Sequence, residues 1–360
     1  MPTIILTGGG SAGHCTPHLA ILPYLKKYFD KIYYVGSKNG IEKTIISNAK
    51  LPYFEIDCAK LNRSFTLKNL TIPFKVLKGI KEAEKIIDEI SPDVIFSKGG
   101  YVSIPIVIAA KKRKIPVISH ESDITAGLAN KIISRYSKKV LTSFDVTAKE
   151  FKNGKYIGSP IRNLSPDINK SSIIVKYGLS GKKPVLLITG GSLGATAINT
   201  AVDSAVDSLL KTFDIIHIRG RGNLNSKLKM KGYYQTEFVN DINNVFSVTD
   251  VCISRAGSNT VFELLSLKIP CLLIPLPKGT SRGDQVLNAE YFFKKGLCSV
   301  LPQNLLTGQS LLTNVLCLYN GRKSLQKNLE LFPIQNMSPY IANELICAAK
   351  HNQPLRRDTR

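Results

Sequence analysis

Twice in this chain a short apolar run breaks into a glycine-rich turn that opens an apolar-periodic stretch. The first is Thr3-Ile4-Ile5-Leu6-Thr7 followed by Gly8-Gly9-Gly10-Ser11-Ala12-Gly13-His14. The second is Pro184-Val185-Leu186-Leu187-Ile188-Thr189 followed by Gly190-Gly191-Ser192-Leu193-Gly194-Ala195. A continuous apolar strand that turns on glycines into a helix belongs to a sheet covered on both faces, which predicts parallel α/β units. Because the pattern restarts, it predicts two similar α/β domains in series. The 360 residues suffice for each to bury its own core.

Between the two turns, strand-like runs at 32–35, 53–56, 94–96 and 117–119 alternate with helical stretches, among them 76–90 with apolar residues at Val76, Leu77, Ile80, Ala83, Ile86 and Ile87. The pattern pauses at Tyr156-Ile157-Gly158-Ser159-Pro160-Ile161-Arg162, where we place the linker. This gives an N-terminal domain over 1–160 and a second over 161–337, whose strands fall at 214–218, 248–253 and 270–274. A last helix over 338–350 is expected to pack back on the first domain, and 351–360 to form a disordered basic tail. Ligands of such sheets lie beyond the carboxyl ends of the strands, where the glycine and polar runs fall.

A third turn carries more chemistry. Ser254-Arg255-Ala256-Gly257-Ser258-Asn259-Thr260-Val261-Phe262-Glu263 reads as a strand end running into a helix start. The first amides of a helix have no intrahelical partner and sit at its positive end, so Gly257, Ser258 and Asn259 could receive a diphosphate. Glu263 lies past the first turn, on the face of Asn259, and its carboxylate can accept hydrogen bonds from both hydroxyls of a ribose. The plainer reading is an ordinary helix start with a solvated glutamate, beside a solvated or ion-paired Arg255. Gly8, Gly10 and Gly13 also match the dinucleotide pattern. However, the next strand ends in Gly36-Ser37-Lys38-Asn39 with no acid to hold an adenosine ribose.

A formal charge of +23 implies a polyanionic partner: nucleic acid, an acidic membrane face or phosphorylated substrates. The seven cysteines have no CxxC spacing and read as reduced core residues of a cytoplasmic protein. The N-terminus lacks the basic region of a signal peptide, and no apolar run approaches a membrane span.

Three further stretches extend the pattern: Ser97-Lys98-Gly99-Gly100-Tyr101-Val102-Ser103, His120-Glu121-Ser122-Asp123-Ile124-Thr125-Ala126-Gly127-Leu128-Ala129-Asn130-Lys131, and Ser281-Arg282-Gly283-Asp284-Gln285-Val286-Leu287-Asn288-Ala289. Together with the glycine turns they resemble, in order and from Thr3 to about Lys350, the MurG family of bacterial peptidoglycan glycosyltransferases. The resemblance implies the GT-B architecture, two Rossmann-like doubly wound domains facing across a cleft. It implies transfer of N-acetylglucosamine from UDP-N-acetylglucosamine onto lipid I, the membrane-bound muramyl-pentapeptide lipid, giving lipid II with inversion, and no cofactor or metal.

The resemblance also places the substrate groups. Ser11, Ala12 and Gly13 match the turn near the donor diphosphate, with Ser11-Ala12 standing where the family has Thr-Gly. His14 closes that turn. Arg162 and Ser192 match diphosphate-side residues, and Val239 a position whose backbone reads uracil. Ser258, Asn259, Thr260, Val261, Phe262 and Glu263 match the donor helix, with Glu263 on the ribose, and Gln285 matches a sugar contact. Asp123 stands where many members have Asn.

His14 is the first candidate for general base or diphosphate contact, because imidazole titrates near neutrality and the turn exposes it. Glu121 and Asp123 are rival bases, Lys98 and Tyr101 could line the acceptor side, and His120 reads as a strand-end packing residue. Over 61–85, Leu61, Phe65, Leu67, Leu70, Ile72, Phe74 and Leu77 interleave with basic residues. The plain reading is an amphipathic helix and loop packed on the sheet with a solvated charged face; because the family's substrate is a lipid, the resemblance favours a peripheral attachment to anionic inner-leaflet lipids on the cytoplasmic face, extended by Lys111-Lys112-Arg113-Lys114. Other cell-wall synthesis proteins are expected partners, and nucleic acid is not. Three rivals remain: a GT-B enzyme using another lipid acceptor such as diacylglycerol, a basic nucleic-acid-binding protein without any RRM, KH or zinc signature, and an NAD(P) dehydrogenase.

Overall fold

The computed structural model describes residues 1–59, 72–162, 169–191, 194–240, 242–279 and 282–352. Ser192, residues 61–71 of the apolar-basic stretch, and the tail from 353 lie outside the described residues. The chain divides into two compact units, Met1–Arg162 with Asn336–Arg360, and Asn163–Gln335.

Unit 1 is built on β1 (Thr3–Thr7), β2 (Lys31–Ser37), β3 (Tyr53–Ile56), β4 (Val94–Ser97), β5 (Val117–Glu121), β6 (Lys139–Thr142) and β7 (Gly154–Tyr156), all parallel, in the order β3-β2-β1-β4-β5-β6-β7. Side chains alternate across a strand, so β1 feeds both layers. Ile4 and Leu6 pack with the helices Thr16–Leu25 and Ser338–Lys350, while Ile5 packs with Ile72–Ile90 and Ser103–Lys112. The last helix enters this unit through Ile341, Ala342, Leu345, Ala348 and Ala349, all buried.

Unit 2 carries β8 (Val185–Thr189), β9 (Asp214–Ile218), β10 (Tyr233–Thr236), β11 (Val251–Ser254), β12 (Cys271–Leu273) and β13 (Ser299–Val300), again parallel, in the order β10-β9-β8-β11-β12-β13. Both sheets start in the middle and change direction once, between β1 and β4 and between β8 and β11. Those switch points open a crevice at the strand carboxyl ends.

One sequence expectation is corrected here. The run 248–253 was expected as one strand, but the helix Ile242–Val248 takes Val248, and the strand begins at Val251. Val245, Phe246 and Val248 are buried as the helix's inner face. Asp250 then marks the strand entry, accepting a 2.7 Å hydrogen bond from the Val185 amide.

Candidate active site

In unit 1 two glycine turns meet at the switch point. Gly100 has φ of 80°, and a Cβ there would lie 2.4 Å from the Gly9 carbonyl oxygen and 3.3 Å from His14 Cδ2. Likewise the Tyr101 ring covers Gly10, where a Cβ would fall 2.7 Å from Cε1. The turns therefore touch through backbone, which glycine alone permits. Gly100→Ala is expected to cost about 2 kcal/mol in thermal unfolding, since it adds left-handed strain to a backbone clash, and to lower turnover by displacing His14.

His14 ends the short helical turn Ala12–His14, beside Ser11 and Gly13, both exposed. Its Nδ1 lies 3.0 Å from the Lys98 carbonyl oxygen. A carbonyl only accepts, so Nδ1 carries the hydrogen and Nε2 of the neutral ring keeps its lone pair. This is the arrangement a general base needs, with one nitrogen fixed by a hydrogen bond and the other able to take a proton.

Lys98 does not line an open surface, contrary to expectation. It is 1% exposed, and its Nζ lies 2.6 Å from His120 Nδ1 and 2.5 Å from Ser122 Oγ. Burial lowers its pKa to about 7, against the pull of Glu121 and Asp123. His120 is more than packing, because its Nε2 donates to the Gly158 carbonyl at 3.0 Å.

Glu121 is buried and already engaged. It accepts from the Asp123 amide at 3.0 Å, the Gly127 amide at 3.0 Å and Asn130 Nδ2 at 2.8 Å. Burial and then Asp123 push its pKa up, and these donors hold it down. A carboxylate so occupied shapes the loop 122–127, and the geometry favours that role over proton abstraction. Asp123 is half-buried, and its carbonyl accepts from Thr147 Oγ1. Beneath the first glycine turn, buried Glu42 accepts from the amides of Gly10 and Ser37, each at 3.2 Å. A dinucleotide's pyrophosphate would have to displace that carboxylate from the Gly10 amide, which weighs against the NAD reading. Arg162, half-buried, follows Ile161, whose amide donates to Asn336 Oδ1 at 3.1 Å.

In unit 2 the helix Ser258–Ser266 follows β11 directly. Gly257 is its N-cap, without a side-chain cap, and a Cβ there would meet nothing within 4 Å. The helix tip thus has open space before it, as anion binding by backbone amides requires. Ser258 is buried, while Asn259, Thr260 and Glu263 are half-buried. The Val261 amide donates within the helix to the Gly257 carbonyl, the Phe262 ring packs edge-on against Phe292, and both side chains are buried.

Arg255 corrects the sequence reading. It is 9% exposed, neither solvated nor, among the described residues, ion-paired; its Nη1 donates to the Ile274 carbonyl at 3.0 Å, and burial lowers its pKa. A buried guanidinium without a carboxylate is costly unless an anion completes it. Gln285 Oε1 accepts from the Leu276 amide at 3.0 Å, which points its NH2 elsewhere, and Asn288 Nδ2 reaches the Ala256 carbonyl at 3.2 Å. The helix Asp284–Lys294 is thereby tied to the turn before the donor helix. Val239 stands apart, beyond the end of β10 and three strand positions from β11, about 14 Å at the usual strand spacing.

Comparison with known proteins identifies the family. Residues 4–142 match the glycosyltransferase family 28 N-terminal domain and residues 185–343 its C-terminal domain. A Bacillus thuringiensis (strain Al Hakam) protein is 47% identical over 343 residues, covering 91% of this chain and 97% of its own, and is named a UDP-N-acetylglucosamine N-acetylmuramyl-(pentapeptide) pyrophosphoryl-undecaprenol N-acetylglucosamine transferase. A Clostridium botulinum (strain Loch Maree) protein of the same name is 47% identical over 340 residues, covering 93% and 96%. The chain belongs to the MurG family. The crystal structure of Acinetobacter baumannii MurG shares the fold with a TM-score of 0.73 at 23% identity, covering 96% of this chain and all of that one. The spinosyn forosaminyltransferase shares it with a TM-score of 0.71 at 11% identity, covering 97% and 99%. This family member is therefore a glycosyltransferase with two Rossmann-like parallel-sheet domains.

Proposed function

We propose that this chain transfers N-acetylglucosamine from UDP-N-acetylglucosamine to the muramyl-pentapeptide pyrophosphoryl-undecaprenol acceptor, lipid I, giving lipid II. The observation that carries this is the 47% identity to so-named transferases over 97% of their length. The geometry supports a matching mechanism. His14 Nε2 takes the proton of the acceptor hydroxyl as that oxygen bonds to the sugar's anomeric carbon from the face opposite the diphosphate. The bond from that carbon to the diphosphate oxygen breaks, and UDP leaves with the negative charge. The tip of the helix Ser258–Ser266 and the Arg255 guanidinium stabilise that charge, with Arg162 and Ser192 as further diphosphate contacts. Glu263 holds the ribose, Gln285 the sugar and Val239 the uracil edge.

Labelled donor offered to lipid I and to diacylglycerol in parallel tests this. Label should pass to lipid I alone; transfer to diacylglycerol alone would favour the other lipid-acceptor reading.

Attachment to the cytoplasmic membrane face is part of the same reading. Among the described residues no helix is long and apolar enough to cross a membrane. The helix Ile72–Ile90 buries Ile80, Ala83, Ile86 and Ile87 but presents Phe74, 75% exposed, and Leu77 beside the exposed Lys75, while the neighbouring Lys78 is ion-paired with Asp57 and Glu82. Apolar groups entering the headgroup zone, with about 1 kcal/mol per nearby lysine on an anionic surface, would hold the enzyme where its lipid substrate is. The double variant Phe74→Ser, Leu77→Ser should stop sedimenting with phosphatidylglycerol vesicles while keeping its turnover on a short-chain, water-soluble acceptor. Unchanged sedimentation would remove this helix from the attachment.

A further inference from the structure

The buried lysine beneath the acceptor-side glycine turns has no part in the mechanism above. Three imidazoles surround it, and each gives one N–H to a backbone carbonyl: His14 to Lys98 itself, His18 to Thr7 at 3.1 Å, and His120 to Gly158. His18 is fully buried between the Tyr34 and Phe96 rings, 5.2 and 5.3 Å away, and burial followed by the nearby Lys98 holds its pKa down at about 3. Burial and Lys98 likewise keep His120 well below the usual imidazole range. With Nε2–H given to Gly158, His120 offers a lone pair at Nδ1, and Lys98 Nζ donates into it.

We propose that Lys98 is a positioning residue for the transfer reaction: its side chain, anchored on His120 and Ser122, fixes the backbone carbonyl that holds His14 in its Nδ1–H tautomer, the form whose Nε2 carries the lone pair a base uses. The proposal rests on His14 as the base. The same residue supplies both ends of the device. Its amide donates to Thr7 at 2.9 Å, its carbonyl accepts from His14, and its Nζ reaches the end of β5. The ionisable groups facing it are His14 and His18 from the first glycine turn and the helix after it, His120 and Glu121 from β5, and Asp123 from the following loop. An ammonium among neutral imidazoles also disfavours their protonation, so its removal should make His14 easier to protonate. A methionine would fill the same volume without the charge or the donor. A purely packing lysine would tolerate that exchange without kinetic consequence.

The test is Lys98→Met in the full chain, read by kcat and KM for each substrate across pH, with side-chain 15N spectra of the histidines. The expected result is a kcat lower by about tenfold or more from misplacement of the base, an unchanged KM for UDP-N-acetylglucosamine, and an acid limb of kcat/KM moved up by about half a pH unit. His14 should pass from a single Nδ1–H tautomer to a mixture. Wild-type kcat, pH profile and tautomer in the variant would overturn the proposal. Should the variant fail to fold, wild-type spectra decide: His120 must be the Nε2–H tautomer, and its Nδ1 resonance must move near neutral pH, as Lys98 loses its proton, while the ring stays neutral. A flat Nδ1 resonance or the opposite tautomer would overturn it. Full activity of His14→Gln would instead sink His14 as the base and leave the tautomer findings standing.

Discussion

Replacing His14 with glutamine should cut kcat about a thousandfold, in the middle of the range for losing a general base, while UDP-N-acetylglucosamine binds as before. Glutamine keeps an amide able to reach the Lys98 carbonyl, so the turn should hold its shape. It cannot take a proton near neutral pH. The pH dependence separates the two roles that the sequence left open for this residue. A base gives wild-type kcat/KM an acid limb, because protonated imidazole has no lone pair to offer, and the variant's residual activity should lack that limb. A diphosphate contact would behave in the opposite sense, with activity supported by the protonated ring and donor affinity falling in the variant. Calorimetric titration with UDP-N-acetylglucosamine on both proteins therefore decides which role His14 plays. The hydrogen bond from Nδ1 to Lys98 favours the base, since it commits the ring's one hydrogen to the protein and leaves Nε2 as an acceptor.

Much of this was legible in the residues because strand, glycine turn and helix leave local marks. The turns at Gly8 and Gly190 and the helix after Gly257 each follow an apolar strand, and the parallel two-domain reading needed little else. What stayed hidden depends on the third dimension. Lys98 follows an apolar run and precedes two glycines, which reads as an exposed loop, yet its side chain turns back under the sheet end to His120. Arg255, after a like apolar run and before Ala256 and Gly257, meets the same fate, held by the Ile274 carbonyl just past β12. In both, a cation stands directly after a buried strand, and that position at a switch point is the signal that could have raised suspicion. Glu42 gave no such sign: it lies on the helix Ile41–Asn48, and only folding brings its carboxylate to the Gly10 amide. Strand 248–253 was misread because the apolar residues of a helix end and a strand start run together without a glycine or proline between them.

Glu263 and Arg255 should fail in different ways, and the difference maps the donor onto unit 2. A carboxylate that clasps both ribose hydroxyls is worth about 2 to 3 kcal/mol, so Glu263→Ala should weaken uridine, UMP and UDP alike, by roughly 30- to 150-fold. On the proposed reading Arg255 meets the charge of the diphosphate. Arg255→Gln can still donate to the Ile274 carbonyl but offers no cation, so uridine should bind as in the wild type while UDP weakens by about 100-fold, the scale of losing a charge-assisted contact. Stability should move the other way. Burial disfavours the Arg255 cation, and among the described residues no carboxylate compensates it, so the ligand-free glutamine variant should melt no lower than the wild type. UDP should then raise the melting temperature of the wild type more than that of the variant. If instead the variant melts lower and binds UDP normally, Arg255 is a structural tie between β11 and the end of β12, and the helix tip must hold the diphosphate without it. Equal losses for uridine and UDP in both variants would place the two side chains at the same part of the ligand, against an arrangement in which the strand-end cation meets phosphate and the carboxylate beyond the first helical turn meets the sugar.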